Sequence, residues 1–260
     1  MKWLRILGTL IIASAAAVLP AKADKLQDIL SAGVVRIGVP LDIPPFGYQD
    51  ENRNSIGFDV ELAQSIADAL GVKLEMQQVK AANRVPFLLT DKVDIIISNL
   101  GMSPERAKQV MFTAPYVNTF IGVWGPKDLK ITSAAELGTN TVAMGRGTTP
   151  DLALTAANPD ANLMRTDDDS TSATAYLTGQ AQMIAGNDVQ MIELQKQNPD
   201  QEFDLKFRLR NSPSHMAVQM DQHNLVRWLD EFIYFSKNNG TLEQLNQKYL
   251  GKPMEDMGTF

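Results

Sequence analysis

The chain has 260 residues, 44% hydrophobic and 21% charged, an ordinary globular composition that suits one large domain or two modest ones. The formal net charge is −6 and there is no basic run, which counts against nucleic acid or an anionic membrane as partner. No cysteine occurs, so disulfides, a cysteine nucleophile and a lipid-anchored cysteine are excluded.

Lys2 and Arg5 precede an apolar, alanine-rich run from Ile6 to Leu19, and Ala21-Lys22-Ala23 has the small-x-small pattern of a cleavage site. Residues 1–23 therefore read as a secretory signal peptide, with an apolar run too short for a span of about 20 residues. The mature chain then begins near Asp24. It loses Lys2, Arg5 and Lys22 but no acid, so its net charge is −9. An anionic ligand would have to be attracted locally, by a few aimed groups.

From there strands and helices alternate with short connections, which predicts α/β layers around mainly parallel sheets. "VVRIGVP" (Val34 to Pro40) is a β-branched strand. "GFDVELAQSIADALGV" carries Val60, Ala63, Ile66 and Leu70 at helical spacing and stops at Gly71. "KLEMQQV" is the next strand, and a helix is expected from about Arg84 to Leu89. "VDIIISN" is a continuous apolar strand of the kind covered on both faces. A second unit begins near residue 121, with "TNTVAMG" a strand, "GRGTTP" a turn and a helix from Pro150. "LTDKVDIIISN" (Leu89 to Asn99) and "LTGQAQMIAGN" (Leu177 to Asn187) echo each other, each ending an apolar strand on Asn. A late helix, "TLEQLNQKYLG", carries a Thr241…Gln244 capping box and a Gly251 stop. "TDDDS" (Thr166 to Ser170) reads as a solvated loop, with a paired-carboxylate site among its three aspartates as the alternative.

The chemistry concentrates at helix starts. In "ISNLGMSPER" (Ile97 to Arg106), Ser103 is a good N-cap, Pro104 suits the first helical position and Glu105 the first turn. Arg106 is unexplained by that punctuation, since a cation there opposes the helix dipole at a cost of roughly 0.3–1 kcal/mol. Two readings stay open: plain capping, or a socket in which a carboxylate lies between the helix amides and the guanidinium. "GRGTTPD" (Gly145 to Asp151) repeats the device, with Thr149 as N-cap, and Gly145 and Gly147 allowing close backbone approach.

"PPFGY" (Pro44 to Tyr48), "GFDVELAQSIADALGV", "NRVPFLLTDKVDIII" (Asn83 to Ile97) and "SPERAKQVMFTAPY" (Ser103 to Tyr116) together resemble the periplasmic polar-amino-acid-binding proteins, family 3 of the bacterial solute-binding proteins, which serve ABC importers. The resemblance implies a two-lobed α/β fold, type II, with lobe 1 from residues 24–115 plus 219–260 and lobe 2 from 121–213. Hinges near 116–120 and 210–218 would let the lobes close on a ligand. It implies a periplasmic monomer with a membrane permease as partner, no cofactor, no metal and no catalysis.

By position, the resemblance makes Arg106 the fork on a ligand α-carboxylate. Ser98, Asn99 and Gly101 would line the first-lobe wall, and Gly145, Thr148 and Thr149 the second-lobe turn. Arg84 matches an arginine of relatives that take acidic or polar ligands. Three departures stand out. A hydroxyl residue is usual where Gly101 stands. The aromatic clamp positions hold Ile43 and Ala81. The usual ammonium-pairing aspartate is Asn187, with Asp188 next to it. The ligand is thus a polar or acidic amino acid or a non-amino carboxylate. A periplasmic dehydratase acting on a cyclic carboxylate is the competing class. His215 and His223, the only histidines, read as structural or exposed.

Overall fold

The computed structural model of the chain describes residues 24–255, so the signal peptide expected over residues 1–23 lies outside the described residues. Asp24 caps α1 (Lys25–Ala32) by accepting from the Leu26 amide. Next come β1 (Val34–Val39), the short hairpin β2 (Tyr48–Gln49) and β3 (Ser55–Ile56), then α2 (Phe58–Leu70). α2 buries Val60, Ala63, Ile66 and Leu70 as its spacing predicts, and Gly71 ends it with φ 69°. Each large side chain so buried contributes roughly 1.5–3 kcal/mol, which outweighs the modest helix propensity of a 13-residue segment. β4 (Lys73–Gln78), α3 (Arg84–Leu89), β5 (Ile95–Gly101), α4 (Pro104–Ala107) and β6 (Val110–Val117) complete the outgoing half of the first lobe. Every residue of β5 is buried except Asn99.

The second lobe holds β7 (Phe120–Pro126), β8 (Val142–Gly145), α5 (Thr149–Ala157), β9 (Leu163–Thr166), α6 (Asp169–Leu177), β10 (Met183–Asn187), α7 (Asp188–Gln197) and β11 (Phe203–Asn211). The chain then returns as β12 (Ser214–Gln219), α8 (His223–Asn238) and α9 (Thr241–Leu245). The sheet orders are β4-β1-β5-β12-β6 and β11-β7-β10-β8-β9. Each lobe has its own core, around Ile37, Phe58, Ile66 and Ile95 in the first and Val123, Val142, Leu154 and Met183 in the second.

The sheets are mixed rather than mainly parallel. β1 pairs parallel with β4 and β5, and β8 with β9 and β10. The strands that carry the chain between lobes impose the antiparallel half: β6 lies against β12, and β7 against β11. One path runs out along β6 and β7 and the other returns along β11 and β12, so their directions must oppose. The returning crossover is shorter than the expected 210–218, because Ser214–Gln219 already belongs to the first sheet. The two crossings are tied at the middle: the Ser212 amide donates to the Thr119 carbonyl at 2.9 Å and the Thr119 hydroxyl to the Ser212 carbonyl at 2.6 Å.

The internal echo falls on equivalent strands. β5 and β10 are each the middle strand of their sheet, with a parallel neighbour on one side and an antiparallel one on the other. β10 ends on Asn187, whereas β5 runs two residues past Asn99. The late capping box is absent. α9 starts from Gly240 in left-handed conformation, and Thr241 gives its hydroxyl to Asn239 instead.

Candidate functional site

The two middle strands point their carboxyl ends at one interlobe cleft, with about 380 Å³ of space, part of it open to solvent. Ile43, Arg84 and Asn99 line it from the first lobe. Thr148, Thr149, Pro150, Asp169, Asn187 and Gln190 line it from the second, with Thr119, Ile121 and Ser212 at the hinge.

Asn99 is held there by the residues that make "GFDVEL" recognisable. Asp59, at the start of α2 and fully buried, accepts from the Asn99 amide at 2.8 Å and from the Tyr116 hydroxyl at 2.9 Å. Burial pushes the Asp59 carboxyl up to about 7 against those bonds. Asn99 has φ 41°, a left-handed conformation that a non-glycine residue adopts only when its surroundings hold it there. The Ser214 hydroxyl, at 2.5 Å from its side-chain oxygen, completes the clamp.

Arg84 opens α3 and is 5% exposed. Its Nε is buried without a hydrogen-bond partner, and its Nη2 lies 3.7 Å from an Asp169 carboxylate oxygen across the cleft. Asp169 belongs to "TDDDS", which is not a solvated loop. Asp168 caps α6 through the Thr171 amide and pairs with Lys80 of the first lobe at 2.7 Å. Asp169 is buried behind it, pushed up to about 6 by desolvation although Arg84 opposes the shift. Lys80–Asp168 and Arg84–Asp169 both join the lobes, so this is a closed arrangement.

Arg106 sits elsewhere in the interface. Ser103 caps α4 as expected, but that helix is four residues long and presents almost no dipole. The guanidinium folds back instead. Nη1 donates to the Gly101 carbonyl at 2.6 Å and to the Thr149 hydroxyl at 3.0 Å, and Nη2 donates to the Gly147 carbonyl at 2.8 Å. Three protein oxygens thus do what an anion was expected to do, and Arg106 does not line the cleft. Burial, then repulsion from Arg84 and Arg210, lowers its pKa to about 10, so three cations converge here.

Thr148, not Thr149, is the N-cap of α5, accepting from the Asp151 amide while Asp151 accepts from the Gly147 amide at 2.8 Å. Cap and return bond need a hydroxyl three residues before the acid, which Thr148 supplies. Thr149 is thereby freed to reach Arg106. Gly101 matters for the same contact, since a Cβ on it would lie 2.5 Å from the Ser212 hydroxyl oxygen and 2.7 Å from that of Thr149. Gly101→Ser should therefore hold the lobes apart, raising the radius of gyration of ligand-free protein in small-angle scattering. An unchanged radius would show that the second lobe yields locally.

The remaining expected residues take supporting places. Asn187 lines the cleft but caps α7, its side-chain oxygen accepting from the Gln190 amide at 2.8 Å. Asp188 points out of the cleft, accepting from the Phe120 amide at 3.0 Å and facing Lys252 at 3.8 Å. Ser98 is fully buried under the strand, and Gly145 accepts the Thr148 hydroxyl. His215 is buried with Nδ1 at 2.8 Å from the Thr113 carbonyl, outside the cleft.

Residues 35–252 match the bacterial extracellular solute-binding proteins, family 3. The chain belongs to this family. It is 25% identical over 228 residues to the L-cystine-binding protein TcyJ of Escherichia coli K12, covering 87% of this chain and 86% of that protein. The crystal structure of the cysteine-binding protein from Campylobacter jejuni superposes with a TM-score of 0.83 at 32% identity, covering 91% and 97% of the two chains. Cyclohexadienyl dehydratase of Pseudomonas aeruginosa is 36% identical, but over 103 residues, 40% of this chain and 38% of that enzyme. The two relatives matched here along most of the chain are binding proteins, and the fold is the type II two-lobed one. No helix among the described residues is long and apolar enough to cross a membrane.

Sequence reasoning missed Asp169, Gln190, Thr119 and Ser212. For Asp169 a signal existed: an acidic residue three positions after a parallel strand, at the carboxyl edge where α/β sheets bind ligands. For Ser212 and Thr119 there was none, since the crossing of two hinge strands is set by tertiary pairing.

Proposed function

We propose that this protein captures a small, carboxylate-bearing polar amino acid in the interlobe cleft and delivers it to the membrane permease of an ABC importer, acting in the periplasm as a monomer and without chemistry of its own. The observation that carries the reading is Arg84, a buried guanidinium whose Nε has no partner and which faces the cleft beside a second buried cation. A carboxylate is the group that satisfies it, through a charge-assisted fork. In this reading Arg84 takes the ligand carboxylate, Asn99, Thr148, Thr149, Asn187 and Ile43 shape the wall, and Arg106 latches the lobes behind it. The relatives named for cystine and cysteine support an amino acid as the ligand class. Binding is favoured over dehydration because the dehydratase likeness spans 40% of the chain, whereas the cystine-binding relative matches 87% of it.

A thermal-shift panel on residues 24–260, unfolded and refolded to strip bound ligand, tests this. It should span the common amino acids, L-cystine, dicarboxylates and cyclic carboxylates, since a ligand that binds only the native state raises the melting temperature. A rise with an amino acid is expected. A rise only with a cyclic carboxylate, accompanied by loss of its ultraviolet absorbance, would replace binding by catalysis.

A further inference from the structure

A second hollow adjoins the cleft and is larger, about 620 Å³ with part of it open to solvent, against about 380 Å³. Ala173, Leu177, Met191 and Leu194 line it along the seam between α6 and α7, and Pro44 lines it from the first-lobe loop after β1. Ala173, Met191 and Leu194 belong to one apolar cluster, so this wall is packed. Asp169 and Gln190 line both spaces and therefore stand between them.

Every charged group on this lining is negative. Asp42 joins Asp169 and Glu193, and among the described residues no lysine or arginine lines the chamber. Asp169 lies 3.7 Å from Arg84, and Glu193 lies 3.7 Å from the exposed Lys196. Asp42 is half-buried. Its Oδ2 accepts from the Asp169 amide at 3.3 Å, while its Oδ1 is enclosed without a hydrogen-bond partner. Lys80 and Arg84, whose charges act on Asp42, stand beside Asp168 and Asp169 instead. An enclosed carboxylate oxygen without a donor costs free energy until one arrives. An apolar wall with a few aimed polar groups is the usual makeup of a small-molecule site. The chemistry that fits this one is an apolar chain ending in a cation, and a primary ammonium brings three donors.

We propose that this chamber is a second binding site, separate from the cleft, for a small primary alkylammonium ion held between Asp42 of the first lobe and the α6–α7 seam of the second. It goes beyond the reading of the cleft and does not depend on which ligand the cleft takes. The alkyl chain lies along Leu177 and Leu194, and the ammonium meets Asp42 Oδ1. Because its walls come from both lobes, an occupant favours the closed arrangement over the open one.

Calorimetric titration with n-butylammonium chloride tests the site, with butan-1-ol and sodium butyrate as the neutral and anionic counterparts. The proteins are wild type, Asp42→Asn, Thr174→Lys and Arg84→Met. Thr174 is exposed on α6 and lines the chamber, so a lysine suits the helix there and brings an alkylammonium of the chain's own to the space. Wild type should bind butylammonium at least about 10-fold more tightly than either counterpart, the effect of a charge-assisted hydrogen bond. Asp42→Asn should lose that preference, and Thr174→Lys should lose the binding. Arg84→Met should bind the amine as tightly as wild type or more so, because Arg84 lines the cleft and not the chamber. No binding by wild type, or equal binding of amine and alcohol, overturns the site. Retained preference in Asp42→Asn overturns it as well, and so does unchanged binding in Thr174→Lys. Loss of the amine in Arg84→Met would put it in the cleft and overturn the separate chamber. The carboxylate reading of the cleft stands or falls separately, on the amino-acid panel.

Discussion

Arg84→Met should lose about 3 kcal/mol of ligand affinity, on the order of 150-fold in Kd, measured by titration with whichever amino acid gives the largest thermal shift. Methionine fills comparable space with apolar contacts, so the loss reports charge and fork rather than a cavity. Two effects add. The ligand carboxylate loses its bidentate partner inside a closed cleft. Asp169 also loses the cation that holds its pKa down, and becomes neutral over a wider pH range. Arg84→Lys should recover a minor part, because an ammonium keeps the charge but not the fork. Affinity in Arg84→Met within a factor of about two of wild type would show that the carboxylate lies elsewhere.

Arg106→Ala should open the ligand-free protein. Two of the three hydrogen bonds made by this guanidinium cross to the second lobe, on the Thr149 hydroxyl and the Gly147 carbonyl. Hydrogen bonds to a charged group contribute roughly 1.5–3 kcal/mol each, so about 3 kcal/mol of closure should disappear. An equilibrium moved by that much passes from mostly closed to mostly open. The expected result is a larger radius of gyration without ligand and an affinity lowered by a similar free energy, since closure must then be driven by the ligand. Weaker binding at unchanged radius would restore the direct carboxylate fork that the family resemblance implies for Arg106. No change in either would leave the latch without support.

Both predictions turn on two arginines that look alike in sequence. Each stands near a helix start beside small polar residues, and the family pattern singles out Arg106. What separates them is satisfaction. Arg106 reaches three oxygens, two of them on residues 41 and 43 positions away in the chain, whereas Arg84 finds none for its Nε. No local pattern encodes that, because the partners are brought together by lobe closure.

The sequence by itself determined the class of the protein. Periodicity placed α2 and its stop at Gly71, the unbroken apolar run placed β5, and the echo of "LTDKVDIIISN" in "LTGQAQMIAGN" marked the middle strand of each lobe. These are readable because burial on one or both faces dictates residue type at fixed spacing. The tertiary structure alone decided the antiparallel half of each sheet, the shift of the α5 cap from Thr149 to Thr148, and the burial of Asp169 from an apparently solvated acidic run. It also sent Asp188 to the hinge and left Arg84 unsatisfied in the cleft. Each of these depends on which groups from the other lobe arrive within hydrogen-bonding distance, and hydrogen bonding at an interface falls off over an ångström, far below what spacing along a chain can specify.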